Sequence, residues 1–475
     1  MTTVERDIRS SEANAPPMRL RRCAPPVAAW AGAACATLTF LAYLPGSGRS
    51  LDFDSAQTVG MFVKPGPPWA AFRLQAVFNN HPAFSFLEQL VRVVTGRTDA
   101  ATMRVLPILF GALAVGVLTW FATRRHGLAA GLAAGGLLAC NPTFLSLSRA
   151  VRGYSLLVLC AVVATILVAE DRPGRSRWSD LAYVAVAGVG LATHLYMFPV
   201  IAAHVGAVAA RRRMDERWRM RFAGAIAVGA LAYAGMAATM IGAAGAHARV
   251  LKTGLPWDVA IMATGGGMAS VLVAPLVATG AVLVLRRSRA TRGAAVALLA
   301  AVGVLWLGLQ SSALTDRFFV WMVPGAAYLA AVAVGRIPVT AVLGAASATL
   351  AVYVPAVTLT GDPTSYRQAA VVITEANSTG ARSCVVNVGV SPMLAYLESP
   401  GDFAVVTEPG QLDRCDVVVV AAWWPTMAEW YARDRVVIGE AERRYAHRLV
   451  LRHGDPILVL SNHPISEGAP ATRPA

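Results

Sequence analysis

Long uninterrupted apolar blocks constrain the fold of this chain more than any other feature of its sequence. Several blocks reach the ~20 residues that an α-helix needs to cross a ~30 Å hydrocarbon core. Only 15% of the 475 residues are charged, whereas about a quarter are charged in soluble domains. The pattern therefore predicts a polytopic α-helical membrane protein rather than a water-soluble fold.

Eleven blocks are predicted to be transmembrane helices. They cover residues 26–44, 104–123, 127–146, 152–169, 180–194, 196–210, 222–242, 260–285, 293–312, 318–335 and 338–356. The region 180–210 has two interpretations, because Pro199 either kinks one long helix or begins the second of two. The first block follows a basic leader and is interpreted as an uncleaved anchor, with a cleaved secretory signal as the alternative.

The formal net charge of +15 would suggest nucleic-acid binding in a soluble protein, but the positions of the charges argue against it. Segments on the same side of the membrane as the predicted N-terminus hold 21 of the 42 Lys and Arg residues. The short loops on the opposite side hold five. The 21 lie before Cys23, in 124–125, 172–177, 211–221 and 286–292, and at Arg336. The positive-inside rule thus predicts a plasma-membrane protein with a cytoplasmic N-terminus and an extracytoplasmic C-terminus.

Four regions are predicted along the chain. Residues 1–25 are a cytoplasmic N-terminal segment, and 26–357 form a transmembrane domain that includes a large first loop, 45–102. Residues 358–463 alternate strand and helix signals, which predicts a small extracytoplasmic α/β domain. Residues 464–475 are rich in Pro, Ala and Gly and are predicted to be disordered.

Within the predicted α/β domain, β-branched runs indicate strands and other stretches indicate helices. The strands are Cys384–Val390, Phe403–Thr407, Val417–Ala421, His447–Arg452 and Ile457–Leu460, and the helices are Pro392–Leu397 and Met427–Asp434. Cys384 and Cys415 both precede valine-rich runs. They either pair in an oxidising compartment or remain two buried thiols.

The first loop is too apolar for a solvated linker. From Pro82 to Val94 its apolar positions fit one face of a helix, which predicts a helix in the membrane interface. Two polar clusters precede that helix. They are Leu51-Asp52-Phe53-Asp54-Ser55, just after the first block, and Asn79-Asn80-His81-Pro82.

Four further elements accompany these clusters. They are Arg104-Val-Leu-Pro107, the stretch Ser148–Leu156 with Arg149, Arg152 and Tyr154, Thr193-His194, and Arg317-Phe318-Phe319. Together the elements resemble the GT-C glycosyltransferases, and in particular the protein-mannosyltransferase-like and lipid A aminoarabinose-transferase-like group. The resemblance covers about residues 45–335. The tail resembles these relatives only in its general type.

The resemblance implies a GT-C-like membrane enzyme of cell-envelope glycan synthesis. Such an enzyme moves a hexosyl or pentosyl group from a polyprenyl-phosphate-linked donor to a lipid, glycan or protein acceptor outside the cytoplasm. Relatives often carry two adjacent acids where this chain has Asp54-Ser55. The missing second acid weakens a two-carboxylate metal site, although Asp52 supplies another carboxylate nearby. A divalent metal stays open as a cofactor, and no metal ligand is assigned.

The residue types suit this chemistry. Asp54 is the candidate general base, because a positioned carboxylate can take the proton of the attacking hydroxyl; alternatively, it caps an interfacial helix that begins at Ser55. Arg149, Arg152 and Arg317 are candidates to stabilise the phosphate leaving group. Their alternative is snorkelling at helix ends.

Five other side chains are candidate substrate ligands: Asp52, Asn80, His81, Tyr154 and His194. Three of them have simpler explanations. His81 could be a helix-start residue before Pro82, and Tyr154 a membrane-belt aromatic. His194 could make an ordinary interhelical hydrogen bond.

Two other functions fit a polytopic chain. A transporter or flippase of lipid-linked glycans also needs many spans and phosphate-binding arginines. It usually carries polar groups at mid-membrane depth, whereas here the candidates gather on one face. A sensor or scaffold would need no cavity lined by a carboxylate.

Overall fold

A computed structural model describes most of the chain. The described residues are 24–72, 80–171, 176–237, 256–308, 316–335, 366–386, 393–397, 400–421, 432–451 and 457–465. The predicted span 338–356 lies outside these residues, as do nearly all of the predicted N-terminal segment 1–25 and residues 466–475 of the predicted disordered tail.

Helices dominate the region before residue 336. They are α1 Pro25–Tyr43, α2 Phe53–Gln57, α3 Pro82–Thr95, α4 Ala100–His126, α5 Leu128–Ala139, α6 Pro142–Arg149, α7 Tyr154–Ala169, α8 Arg177–Thr193, α9 Phe198–Ala210, α10 Glu216–Tyr233, α11 Pro256–Ala263, α12 Gly267–Arg287, α13 Arg289–Gly308 and α14 Val323–Val334. A π-helical turn over Thr58–Val63 continues α2. Tighter 3-10 turns cover Pro68–Phe72, Leu195–Met197 and Asp316–Met322.

Within the described residues, three helices are long and apolar enough to cross a membrane: Pro25–Tyr43, Ala100–His126 and Ala269–Arg286. The pair α5 and α6, bent by 62°, passes the same test together. Shorter apolar helices are Tyr154–Ala169, Leu195–Ala210 and Phe319–Val334. These helices support a membrane protein, and the count of eleven spans stays a prediction.

The region 180–210 is two helices. α8 ends at Thr193, the Leu195–Met197 turn follows, and Pro199 lies in the first turn of α9. Pro199 therefore begins a helix rather than kinking one. This agrees with proline's fixed φ and its tolerance at a helix start.

Small residues allow α1 and α4 to pack closely. A Cβ built on Gly32 of α1 would lie 2.8 Å from the carbonyl oxygen of Gly116 on α4, and a Cβ on Gly116 would lie 2.7 Å from that of Gly32. Such backbone approach is typical of helix packing in membranes. On α1, Trp30 is 76% exposed, as a lipid-facing side chain would be.

The helix bundle has two chemically different ends. At one end, Arg125 of α4 pairs with Glu170 after α7 at 2.6 Å, and Arg221 of α10 pairs with Asp171 at 3.2 Å and with Asp180. We call this the charged end. The first loop and the start of α7 lie at the other end, which we call the first-loop end.

The tail contains a five-stranded mixed sheet between two helices. The elements are α15 Tyr366–Ser378, β1 Ser383–Val386, β2 Ala404–Val406, β3 Val417–Ala421, α16 Ala432–Arg444, β4 His447–Leu451 and β5 Ile457–Ser461. The strand order is β2-β1-β3-β5-β4. β1 is parallel to β2 and β3, and β5 is antiparallel to β3 and β4. We call the described residues from 366 to 465 the tail unit.

Alternating side chains bury the two faces of the sheet. On one face, Ile373 of α15 packs with Val385 and Val419. On the other, Val437 of α16 packs with Val386 and Val418. Successive strand residues point to opposite faces, so the valine runs suit a sheet covered on both sides.

The described strands lie within the predicted strand segments or extend one residue past one end of them, but the helix predictions for the tail were less complete. Residues 393–397 of the predicted helix Pro392–Leu397 form a helical turn, in which Met393 O accepts from the amides of Tyr396 and Leu397; residue 392 lies outside the described residues. α15 was not predicted. α16 is described over Ala432–Arg444, whereas the predicted helix Met427–Asp434 lies mostly outside the described residues.

The two tail cysteines form a disulfide. Cys384 lies in β1 and Cys415 two residues before the neighbouring strand β3, with their Cα atoms 5.7 Å apart. Of the alternatives that the sequence left open, the structure has the bonded pair.

Alkylation followed by mass spectrometry tests this bond in the purified protein. With the protein denatured but not reduced, Cys384 and Cys415 should stay unlabelled and should react only after reduction. Cys35, Cys140 and Cys160, which are free thiols, serve as internal controls and should be labelled in both conditions. Full labelling of the tail pair without reductant would contradict the bond.

Candidate active site

The helical turn after α1 holds the two acidic candidates in different roles. Asp52 is the N-cap of α2: one carboxylate oxygen accepts from the Ser55 amide at 2.8 Å and the other from the Ser55 hydroxyl at 2.9 Å. The alternative that Asp54 caps a helix beginning at Ser55 is wrong, because α2 begins at Phe53. Asp54 lies in the first turn of α2 and is half-buried.

Ser55 joins this turn to the segment that carries Arg152. Its hydroxyl oxygen accepts from the Val151 amide at 2.9 Å. The adjacent Arg152 side chain is 1% exposed, with Nη1 at 3.3 Å from the Thr58 hydroxyl and 3.5 Å from the main-chain oxygen of Asp54. Two sequence candidates separated by 98 positions thus lie side by side.

Arg104 donates hydrogen bonds to the main chain of both segments. Its guanidinium, on a side chain 5% exposed, donates to four main-chain oxygens: those of Ser47 and Arg49 at 2.5 Å, Ser50 at 2.8 Å and Arg149 at 3.0 Å. A buried cation needs such partners to offset its lost hydration. In the sequence, Arg104 stands out only as part of a motif. Its position near the start of an apolar span was the available signal.

The other two arginine candidates lie at the same end of the bundle. Arg149 is half-buried and donates through Nη2 to the Pro45 carbonyl at 2.6 Å. The side chain of Arg317 lies outside the described residues. The 3-10 turn that carries it, Asp316–Met322, packs against α6 and α7.

Five rings form a continuous cluster beside these residues. His81 lies 5.3 Å from Tyr154 and 5.0 Å from His194, measured between ring centroids, and Tyr154 lies 5.5 Å from His194. Tyr196 extends the cluster from His194 at 5.1 Å to Phe319 at 5.7 Å. We call these five residues the ring cluster. It joins the predicted ligands His81, Tyr154 and His194 to the Arg317 turn.

The two histidines have opposite hydrogen-bonding roles. His81 Nδ1 lies 3.0 Å from the Thr193 carbonyl, which can only accept, so Nδ1 carries the proton. His194 Nδ1 accepts from the Tyr196 amide at 3.2 Å. In their neutral forms, therefore, Nε2 of His81 is an acceptor and Nε2 of His194 is a donor.

Tyr154 is 1% exposed, which does not fit a belt aromatic at the lipid surface. Its hydroxyl is buried and has no hydrogen-bond partner among the residues that the structure describes, as is also true of Trp321 Nε1. Buried polar groups are normally satisfied. Both groups can therefore serve a bound molecule.

Comparisons with known proteins show which fold the chain shares. The sequence profile of the family described as dolichyl-phosphate-mannose-protein mannosyltransferase matches residues 63–237. The structure is similar to ArnT from Cupriavidus metallidurans in the apo state, with a TM-score of 0.59 at 15% identity over 92% of this chain and 98% of that chain. The chain has the fold of the GT-C glycosyltransferases.

Two other solved structures share this GT-C fold with the chain. ArnT from Cupriavidus metallidurans bound to undecaprenyl phosphate has a TM-score of 0.58 at 15% identity, over 92% of this chain and 98% of that chain. The oligosaccharyltransferase AglB from Archaeoglobus fulgidus, in complex with an inhibitory peptide and a dolichol-phosphate, has a TM-score of 0.52 at 10% identity, over 90% and 74%. No curated protein matches the chain in sequence.

Asn80, which precedes α3, and Ser85, within α3, are joined by a hydrogen bond. The Asn80 amide nitrogen donates to Ala71 O at 2.7 Å, and its oxygen accepts from the Ser85 hydroxyl at 2.7 Å. These bonds tie the start of α3 to the Pro68–Phe72 turn. A contact between Asn80 and substrate stays a prediction.

Glu88 belongs to none of the sequence motifs; it lies four residues after Phe84 on the buried face of α3. The side chain is fully buried, and neither carboxyl oxygen has a hydrogen-bond partner within the described part of the chain. Burial raises the pKa of Glu88 well above its ordinary value. The described residues contain no group of three His, Cys, Asp or Glu side chains that could hold a metal ion.

Gly153 allows the ring cluster to close. A Cβ at this position would lie 2.4 Å from Thr193 Cγ2 and 3.1 Å from His81 Nδ1. Any side chain here would push Thr193 away from His81 and break their hydrogen bond.

Gly153→Ala should destabilise the protein by about 1–3 kcal/mol, the usual cost of overpacking. The measurement is thermal unfolding in lipid nanodiscs, followed by tryptophan fluorescence. Gly325→Ala is the control, because a Cβ on Gly325 in α14 would have no atom within 4 Å, and alanine favours a helix over glycine. Equal melting temperatures for the two variants would contradict the role of Gly153.

Proposed function

We propose that this chain is a glycosyltransferase that moves a sugar, with inversion, from a polyprenyl-phosphate-linked donor to an acceptor hydroxyl outside the cytoplasm. The matching family profile names a dolichyl-phosphate-mannose mannosyltransferase, and structurally similar proteins were solved with undecaprenyl phosphate or dolichol-phosphate. The observation that carries the proposal is the pairing of the Asp54 turn with Arg152, 3.5 Å from the Asp54 main-chain oxygen.

The proposed reaction is a single displacement. The acceptor oxygen attacks the anomeric carbon, and the Asp54 carboxylate takes the hydroxyl proton. The bond between the anomeric carbon and the phosphate oxygen breaks, and its electron pair leaves with the polyprenyl phosphate. Because attack comes from the face opposite the leaving group, the anomeric configuration inverts.

The arginines supply positive charge where the phosphate gains negative charge. Arg149 and Arg152 flank the segment that follows α6, and the turn of Arg317 packs beside it. Guanidinium groups suit this role because they remain charged and bind phosphate oxygens in a forked geometry.

The ring cluster would hold the sugar. His81 Nε2 can accept from one sugar hydroxyl, while His194 Nε2 and the Tyr154 hydroxyl can donate to others. The Asp52 carboxylate caps α2. We therefore assign Asp52 the role of holding the turn and not the role of general base. The acceptor is a lipid, glycan or protein hydroxyl.

A transporter or flippase is the alternative, and the distribution of buried charge argues against it. Among the described residues, Arg104, Arg152 and Glu88 are buried near the first-loop end, while Arg221 is buried with acidic partners at the charged end. Transporters usually place such groups near the membrane midplane. A one-sided site fits an enzyme working at the membrane surface.

Asp54→Asn should lower turnover by ~10²-fold or more with little change in donor binding, since the amide keeps the size but cannot act as a base. The assay uses purified protein in lipid with a panel of polyprenyl-phosphate sugars and measures released polyprenyl phosphate.

Asp52→Asn is the matched control, because asparagine is as good an N-cap as aspartate; its turnover should fall by less than about tenfold. If Asp54→Asn, folded and inserted, kept near-normal turnover with a verified donor, Asp54 would not be the base. A larger loss in Asp52→Asn would instead make Asp52 the base.

We also propose that the first-loop end and the tail unit face outward. Basic residues of 124–125 and 211–221 gather at the opposite, charged end, where the positive-inside rule expects the cytoplasm. The Cys384–Cys415 disulfide is typical of an oxidising compartment.

A topology reporter fused after Ala475 tests the orientation. An export-dependent enzyme such as alkaline phosphatase should be active there, and a cytoplasm-dependent fluorescent protein should not. A fusion within 211–213, on the charged end, should give the reverse pair of signals. A cytoplasmic signal from the C-terminal fusion would overturn the orientation.

A further inference from the structure

The short segment that leads into Asp52 is held from two sides. From the bundle side, Arg104 donates to the carbonyl oxygens of Ser47, Arg49 and Ser50. From the other side, the tail unit supplies the partners: Arg367 Nη2 donates to the Gly48 carbonyl at 2.7 Å. We call residues 47–51 the lead-in segment.

Tyr396 hydrogen-bonds to the main chain directly before the acidic turn. Its hydroxyl oxygen accepts from the Leu51 amide at 2.5 Å and lies 2.9 Å from the Ser50 hydroxyl. Leu51 is 1% exposed and Ser50 is fully buried. Leu51 directly precedes Asp52, so Tyr396 fixes the main chain one residue before the α2 cap.

The same tail turn also contacts the far end of the helical run 53–63, which consists of α2 and the π-helical turn after it. Lys64, which follows the Thr58–Val63 turn, donates through Nζ to the carbonyl oxygens of Leu394 and Leu397, each at 3.0 Å. Residues 393–397 thus bridge the two ends of the run that carries Asp54.

Apolar side chains pack between the hydrogen bonds of Tyr396 and Lys64. Ala395 packs in one cluster with Leu51, Ala56 and Val59. Phe53 lies 6.3 Å from Tyr366 of α15, measured between ring centroids. The tail unit therefore contacts the residues on both sides of Asp54 rather than a remote part of the bundle.

Burial raises the pKa of Tyr396 above its ordinary value, so the hydroxyl stays protonated throughout the physiological pH range. The bonds to Leu51 and Ser50 consequently do not depend on pH there. A neutral phenol is a stable anchor for a main-chain amide.

We propose that Tyr396 is a positioning residue for the general base, and that the tail unit thereby completes the active site. This inference rests on the proposed function. Tyr396 touches neither donor nor acceptor; it acts through Leu51 on the orientation of α2. Its loss changes the chemical step, because a misplaced carboxylate takes the proton less efficiently.

Tyr396→Phe removes one hydroxyl and keeps the ring. We expect the variant's kcat to fall about tenfold or more, with the KM for the polyprenyl-phosphate sugar within about twofold of the wild type. Amide hydrogen exchange of the full-length protein in nanodiscs should be faster over residues 51–58. A merely structural role in the tail would not give this local change.

Tyr445→Phe is the matched control. The Tyr445 hydroxyl also makes two main-chain bonds, to the carbonyl oxygens of Leu412 at 3.0 Å and Cys415 at 2.9 Å, but both lie inside the tail unit. This variant should lower the melting temperature of the tail while kcat and exchange over 51–58 match the wild type. Equal effects of the two variants on kcat would overturn the proposal.

A second variant covers the case in which Tyr396→Phe does not fold. Lys64→Met removes the other anchor without altering the tail, and it should also speed exchange over 51–63 and lower kcat. The positioning role of Tyr396 and the proposed function can be disproved independently of each other. Wild-type exchange over 51–58 in Tyr396→Phe overturns the positioning role whatever the donor, whereas wild-type protein that turns over no polyprenyl-phosphate sugar overturns the proposed function.

Discussion

The buried guanidinium of Arg104 is the interaction on which the first-loop end depends. It lies near the start of an apolar helix and gathers four carbonyl oxygens from two irregular segments. Hydrogen bonds to a charged donor contribute about 1.5–3 kcal/mol each, and leaving such a buried charge unpaired costs more. The cation and the irregular backbone therefore stabilise each other, and neither could be buried alone.

The rest of the site follows from the two segments that Arg104 joins. One enters α2, where Asp52 caps the helix and leaves Asp54 in the first turn. The other leads to Arg152 and Gly153, and Ser55 links it to α2 through the Val151 amide. Gly153 then admits His81 and Thr193 at close range. Acid, cation and ring cluster are thus parts of one connected framework.

Local patterns in the sequence predicted local structure well. The interfacial helix was expected over Pro82–Val94 and is α3, Pro82–Thr95; the strand Val417–Ala421 matches β3. The alternative that Asp54 caps a helix beginning at Ser55 was wrong by two residues, since both acids are good caps and the sequence does not show at which residue the helix begins. The cysteine pairing and Tyr396 depend on contacts between distant segments, which no local pattern encodes.

The contact between Tyr396 and Leu51 spans 345 positions of the chain, and this spacing bears on how the protein is made. The lead-in segment emerges early in synthesis, while its partner emerges only after the whole bundle has been inserted. Until then the Leu51 amide lacks its tyrosine anchor. The acidic turn is therefore anchored from the tail side only after Tyr396 has been synthesised, so a protein truncated before that position would lack this anchor.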